Sequence, residues 1–380
     1  VAASDGERRE LADTFADLCR IESPSGRERQ CAEWVAAELR ALGLEVVEDD
    51  AGPAAGSDCG NLLARVPARG ATPSDRTPLL LCAHLDTVPL MAPVEPVVVD
   101  GGWENAQPGV LGADNKAAVA VILGVARRAV REGLPVELEL LFTVAEETAL
   151  AGARAFEVSR LRSDTGYVFD HATPIGEVIV ASPSHYRIEA TFHGAAAHAG
   201  IRPEEGRSAI VAAARAVAAM RLGRLDAETT ANVGTIAGGT AMNVVPERCT
   251  LVAEARSLDD DRVEQVVAEL VDQLHDAANL PECDCDIDVA VERLFAGYRL
   301  PTSSPAMALA EEALHSCGYA PARVVSGGAS DANELQARGK QVINLANGTE
   351  RNHEPGERVS VAALEGMLDV ALTLAHRAAG

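Results

Sequence analysis

The sequence predicts an α/β protein, a sheet covered by helices on both faces, interrupted by an inserted ferredoxin-like α+β module. Three observations predict it. Helical patterns and apolar runs of strand length alternate through the first 182 residues. After about Ser182 the texture changes to strands that alternate apolar and polar residues. After about Leu300 the first texture returns. The first domain is therefore discontinuous, 1–182 and 298–380, with 183–297 inserted into it. A chain of 380 residues is long enough for two such cores.

The elements follow in order. Glu7–Ile21 and Glu28–Leu44 have helical periodicity, and Asn61–Val66 reads as a strand. PLLLCAHLDTV (Pro78–Val88) is an apolar run of strand length. Lys116–Arg131 is an alanine-rich amphipathic helix. Pro135–Val144 and the short GYVFD (Gly166–Asp170) are strands. In the insertion, YRIEATFH (Tyr186–His193) alternates like a half-exposed strand. A helix over Arg207–Leu222, strands over Asn232–Ala237 and Thr250–Arg256, a helix over Asp260–Ala277 and a strand over Asp284–Glu292 complete it. The order strand, helix, strand, strand, helix, strand is the ferredoxin-like signature. A helix over Pro305–Cys317, a strand over Gln341–Leu345 and a helix over Val361–Ala378 close the chain.

Apolar residues make up 47% and charged residues 24%, as in ordinary globular proteins. The formal charge of −24 repels phosphate backbones and argues against nucleic acid as a partner. The most apolar stretch, AAVAVILGVA (Ala117–Ala126), is too short to span a bilayer, so no membrane partner is expected. The start, VAASDGERRELADTF, lacks the cationic and apolar regions of a secretory signal. Eight scattered cysteines read as reduced thiols, and the expected location is the cytoplasm. Cys283 and Cys285 read as half-buried thiols rather than a metal pair, because no second cysteine pair accompanies them.

Chemistry concentrates at predicted strand and loop ends. His84 and Asp86 close the apolar strand LLLCAHLD, and the two-residue period sends both to one side. Open α/β sheets place their sites at such ends. Asp114 stands in GVLGADNKAA just ahead of a helix, where an N-cap is the plain alternative. Glu146 and Glu147 follow the strand ending FTVA, where carboxylates could also serve a helix dipole. Asp170 ends GYVFD, and His353 lies in the polar loop NGTERNHEPGE. Two imidazoles with several carboxylates and no thiolate suit a hydrolytic dinuclear zinc site. Neither HExxH nor the G-x-S-x-G elbow of serine hydrolases occurs.

The ordered run LCRIESPSGRE, HLDTVP, GADNKAA, AEETALAGA, AAAHAG and NHEPGE resembles the di-zinc peptidase family. That family includes peptidase T, carboxypeptidase G, acetylornithine deacetylase and succinyl-diaminopimelate desuccinylase. The similarity spans nearly the whole chain and implies a zinc-exopeptidase-like three-layer αβα domain. It implies that His84 and Asp170 bind one zinc, that Glu147 and His353 bind the other, and that Asp114 bridges both. Asp86 would hold His84 from behind, and Glu146 would be the general base. The peptide after Asp114 is expected to be cis, and Asn115 stands where many relatives have Asp. The ligand carboxylates contribute −3 against +4 from two Zn2+; Co2+ or Mn2+ could replace zinc. His198 in AAAHAG would stabilise the developing oxyanion, often across a homodimer formed by the inserted domain. Asn243 and Arg256 resemble positions that hold the substrate's backbone or carboxylate. The loop SGGASDAN (Ser326–Asn333) resembles a glycine-rich substrate loop in which Asp331 is structural.

Asp at position 170, together with GVLGADNKAA and VAEETALAG, points to the peptidase T-like members. The expected function is metal-dependent hydrolysis of an amide bond in short peptides, as a tripeptide aminopeptidase. The alternative is an amidase or deacylase of N-acyl amino acids, which uses the same chemistry. A non-catalytic protein on this fold would lack a ligand or the base, and neither is missing.

Overall fold

The structure is a computed structural model that describes residues 1–69, 78–134 and 136–378. The chain divides into two compact units, Val1–Ala181 with Leu300–Gly380, and Ser182–Arg299. Each unit has its own apolar core.

The main sheet of the first unit runs in the order Val46–Glu48, Leu62–Val66, Leu138–Thr143, Leu79–His84, Thr165–His171, Gln341–Ala346, Glu177–Ser182. The pairs from Leu138–Thr143 to Gln341–Ala346 are parallel, and the flanking pairs are antiparallel. Leu79–His84 and Leu138–Thr143 are buried at every position. That burial explains their continuous apolar sequence, since helices cover a parallel sheet on both faces. Helix Ala113–Glu132 packs against Leu79–His84 and between helices Asp5–Arg20 and Val361–Arg377. Its alanines permit close approach, and at Gly124 a Cβ would come within 3.1 Å of Leu368. The parallel register leaves the C-terminal ends of four strands along one edge.

The predicted strand Pro135–Val144 is observed over Leu138–Thr143, and Pro135 lies outside the described residues. Periodicity gave no sign of a separate antiparallel sheet in the order Thr349–Glu350, Arg358–Ser360, Gly102–Asn105, Pro96–Val99. Its strands of two to four residues are too short to show a period. Two local alternatives also fail. No helix begins at Glu146, because the next one spans only Ala151–Ala155. Asp114 does not act as an N-cap, because its Oδ2 accepts from the side chain of Asn352 and its Oδ1 accepts no hydrogen bond among the described residues.

The second unit has the expected elements in order, with one further strand of two residues, Gly223–Arg224, after the first helix. Its sheet runs Gly223–Arg224, Thr229–Gly238, Arg248–Ser257, Ser184–His193, Asp286–Phe295, with every pair antiparallel. Cys249, Leu251, Ala253 and Ala255 alternate into a core shared with helices Ala209–Ala219 and Asp260–Ala278. Ser208 and Asp259 cap those helices by accepting from the N–H groups of Val211 and Arg262. Among the described residues no helix is long and apolar enough to cross a membrane.

Candidate metal centre

Seven of the singled-out side chains belong to the strand-end edge of the first unit or to the loops beside it. His84 is the last residue of its strand, in register with Thr143, and three residues later the neighbouring chain reaches Glu146. Asp170 sits where the register between Thr165–His171 and Gln341–Ala346 slips, and such a bulge re-aims a side chain. Asn344 pins that bulge: its Oδ1 accepts from Asp170 N at 2.9 Å, and its Nδ2 donates to Asp170 O at 3.1 Å.

The distances define two groups that share one carboxylate. His84 Nε2 lies 3.4 Å from Asp114 Oδ1 and 3.5 Å from Asp170 Oδ1. His353 Nε2 lies 3.4 Å from Asp114 Oδ2 and 2.9 Å from Glu147 Oε1. In each group the three donor atoms lie within 4.8 Å of one another, close enough to hold one ion. His84, Glu146 and Glu147 also meet that limit, so Glu146 adjoins the donors. The Asp114–Asn115 peptide is cis, as the resemblance implies.

Buried carboxylates hold the turn that carries the two glutamates. Glu28 Oε1 accepts from Ala145 N at 3.0 Å. Asp86 Oδ1 accepts from Glu146 N at 3.0 Å, and Asp86 Oδ2 from Glu147 N at 3.1 Å. Ala145 has φ +51°, a left-handed conformation uncommon outside glycine. Three fixed N–H groups in a row therefore send successive side chains apart. Asp86 also faces His84. The Nδ1–H of His84 donates to the Asp86 carbonyl oxygen at 2.9 Å and lies 3.4 Å from Oδ1. That contact leaves Nε2 toward Asp114 and Asp170.

The electrostatics call for cations. Burial opposes a charge on His84, but Asp170, Asp114 and Asp86 outweigh it and raise its proton affinity well above the usual range. Asp114 and Glu147 hold His353 protonated up to about 10. Burial, with Asp114 and Asp331 adding to it, pushes Asp170 up to about 8. Burial, reinforced by Asp170, also raises Glu146 well above a normal carboxyl. Protons here stand in for missing positive charge. Asp114 Oδ1 is buried and accepts no hydrogen bond among the described residues. A shared carboxylate with an unused oxygen, two imidazoles and two further carboxylates fits a pair of divalent cations.

Some neighbours have tasks that sequence reasoning does not assign. Asn344 gives no signal, and Glu28 is visible only as the last residue of LCRIESPSGRE, because their partners are distant in the chain. Glu357 was visible as the last residue of NHEPGE but had no evident task. It is buried, and its carboxylate accepts from the N–H groups of Leu111, Gly112 and Asp114. Asp331 is buried and begins helix Asp331–Ala337, and its Oδ2 accepts from Thr143 Oγ1. Burial pushes its carboxyl up to about 6.

His198, Asn243 and Arg256 belong to the second unit. His198 is exposed, and Ala199 N donates to Asn243 O at 3.0 Å, so these two loops run side by side. Arg256 lies elsewhere on that unit's sheet, with Nη2 3.0 Å from Glu254 Oε2. The same carboxylate oxygen lies 2.9 Å from His185 Nε2.

Comparison with known proteins points to peptidases. Residues 182–279 match the model of the peptidase dimerisation domain, and residues 61–186 match that of peptidase family M28. The chain is similar to aminopeptidase PepT from Bacillus cereus, with 32% identity, 98% of this chain and 99% of that one covered, and a TM-score of 0.88. A tripeptidase from Staphylococcus aureus is 31% identical over 98% of each chain, with a TM-score of 0.91. An uncharacterised protein of Bacillus subtilis, YqjE, is 32% identical over 97% of this chain and 98% of its own length.

Proposed function

The chain belongs to the dinuclear metallopeptidase family of peptidase T, and on that premise we propose that it is an aminopeptidase acting on tripeptide-sized substrates. The observation that carries the reading is the shared carboxylate of Asp114, within 3.4 Å of an imidazole on either side. His84 and Asp170 would hold one divalent cation, Glu147 and His353 the other, with Asp114 between them. A cation pair of this kind polarises a carbonyl and makes water a nucleophile near neutral pH.

The remaining work falls to protein groups. Glu146 takes the proton of the attacking water and delivers it to the departing nitrogen. Its place beside the donor atoms, with its N–H held by Asp86, suits that sequence of tasks. Asp86 keeps His84 oriented and holds the turn of Glu146. His198 is assigned to the developing oxyanion. Asn243 and Arg256 are assigned to the substrate's backbone and carboxylate.

Zinc is the metal favoured by the mixed imidazole and carboxylate donors, with Co2+ or Mn2+ as substitutes. A homodimer through the second unit is part of the proposal. Its support is the matched dimerisation model and an exposed apolar patch of Ile210, Val211 and Ile236. The eight cysteines are free, which supports a reducing, cytoplasmic setting.

The test compares tripeptides, dipeptides and N-acyl amino acids as substrates, with and without a chelator, and adds Glu146→Ala. The expected result is chelator-sensitive tripeptide hydrolysis that the variant loses while keeping its metal. A variant with full activity overturns the role of Glu146. A preference for N-acyl amino acids overturns the peptidase reading.

A further inference from the structure

The chain entering helix Ala113–Glu132 is kinked, with non-helical backbone at Asp114 and Asn115. The N–H groups of Leu111, Gly112 and Asp114 therefore stand ahead of its continuous part, and a buried N–H needs an acceptor. Glu357 supplies one for all three from more than 240 residues away. Its Oε2 accepts from Leu111 N at 2.9 Å and Gly112 N at 2.7 Å, and its Oε1 accepts from Asp114 N at 2.8 Å. The residue is only 2% exposed. A buried carboxylate is costly unless its oxygens are satisfied, and here three donors satisfy them.

The location of this carboxylate matters. Glu357 lies four residues after His353, in the same loop. The loop makes a second contact with the bridging residue, because Asn352 Nδ2 donates to Asp114 Oδ2 at 2.8 Å. The segment carrying His353 is thus tied at two points to the segment carrying Asp114. The other candidate ligands have separate supports. His84 and Asp170 sit on strands, and Glu147 is held by Asp86. His353 has a half-exposed side chain in a loop, with φ +67°.

We infer that Glu357 is a positioning residue that sets the spacing between Asp114 and His353, and so creates the second cation position. It acts through the backbone and contacts neither substrate nor cation. This inference rests on the proposed cation pair. Loss of the carboxylate loosens the group of Asp114, Glu147 and His353 the more, because its loop-borne His353 loses a tie, while the other group keeps His84 and Asp170 on their strands.

The test strips the full-length protein with a chelator and titrates it with Co2+, following calorimetry and the visible absorption of bound cobalt. The wild type, Glu357→Gln and Glu357→Ala are compared. The wild type is expected to take up two ions. In both variants the second ion should bind roughly 10–100-fold more weakly, the range typical for removing a residue that orients a metal ligand. The first ion should bind within about threefold of wild type, well short of that range. The rise in melting temperature on saturation should shrink, while unfolding of the stripped protein stays cooperative. Glutamine preserves volume and one acceptor oxygen, so Glu357→Gln decides the matter if the alanine variant does not fold. A folded variant that binds the second ion like wild type overturns the inference. So does equal weakening of both ions, which is the mark of general destabilisation. A wild type that binds fewer than two ions overturns the cation pair itself.

Discussion

Asp86 has more tasks than its place beside His84 suggests. Each of its oxygens accepts one N–H from the glutamate turn, and it also accepts from Ser25 Oγ at 2.7 Å. Asparagine has the same size but one acceptor oxygen, and its NH2 would face an N–H donor. Asp86→Asn should therefore lose about 10–100-fold in metal affinity or in kcat/KM, with the folded content unchanged. Zinc content and steady-state kinetics check this; a variant with wild-type values for both would remove Asp86 from the site. His84, Asp86, Asp114, Glu146, Glu147, Asp170 and His353 were all legible because they stand at element ends in a recognisable order. The tasks of Glu28, Asn344 and Glu357 were not, because service to another segment's backbone leaves no local pattern.

At the level of elements, strand direction and turn conformation do most of the arranging. The parallel strands deliver His84 and Asp170 to one edge, and the left-handed Ala145 turns the chain so that Glu146 and Glu147 diverge. On strand Arg248–Ser257 of the second unit, Glu254 joins His185 and Arg256. The close approach of His185, with help from Arg256, lowers the Glu254 carboxyl to about 2. A depressed carboxyl stabilises the fold above its unfolded value of 4.5, and that contribution is lost as pH falls toward about 2. Glu254→Gln should thus be less stable than wild type at pH 7 and converge with it near pH 2. Chemical denaturation at a series of pH values measures the difference; a gap that persists unchanged into strong acid would contradict it.

For the whole molecule, the open question is assembly. In the second unit, Gly223–Arg224 covers only the beginning of strand Thr229–Gly238. Ile236 farther along that strand is 49% exposed, with Ile210 and Val211 also exposed on the adjoining helix. Unpaired strand edges with apolar side chains invite pairing with another chain. Ile236→Lys should shift the protein from dimer to monomer in sedimentation velocity without altering its circular dichroism. A wild type that sediments as a monomer at all concentrations would dismiss the homodimer.

The sequence by itself determined the α/β class, the inserted βαββαβ module and the identity of the candidate ligands. The first two rest on periodicity, the last on residue types at element ends and on an ordered resemblance to a known family, and all of these are written locally. Only the tertiary structure decided that Asp86 accepts from the consecutive N–H groups of Glu146 and Glu147, that Glu28 holds Ala145 before them, and that Glu357 accepts from Leu111, Gly112 and Asp114 far away in the chain. These depend on which segments meet in space, and burial makes such meetings specific, because a carboxylate or an N–H removed from water must find its partner there.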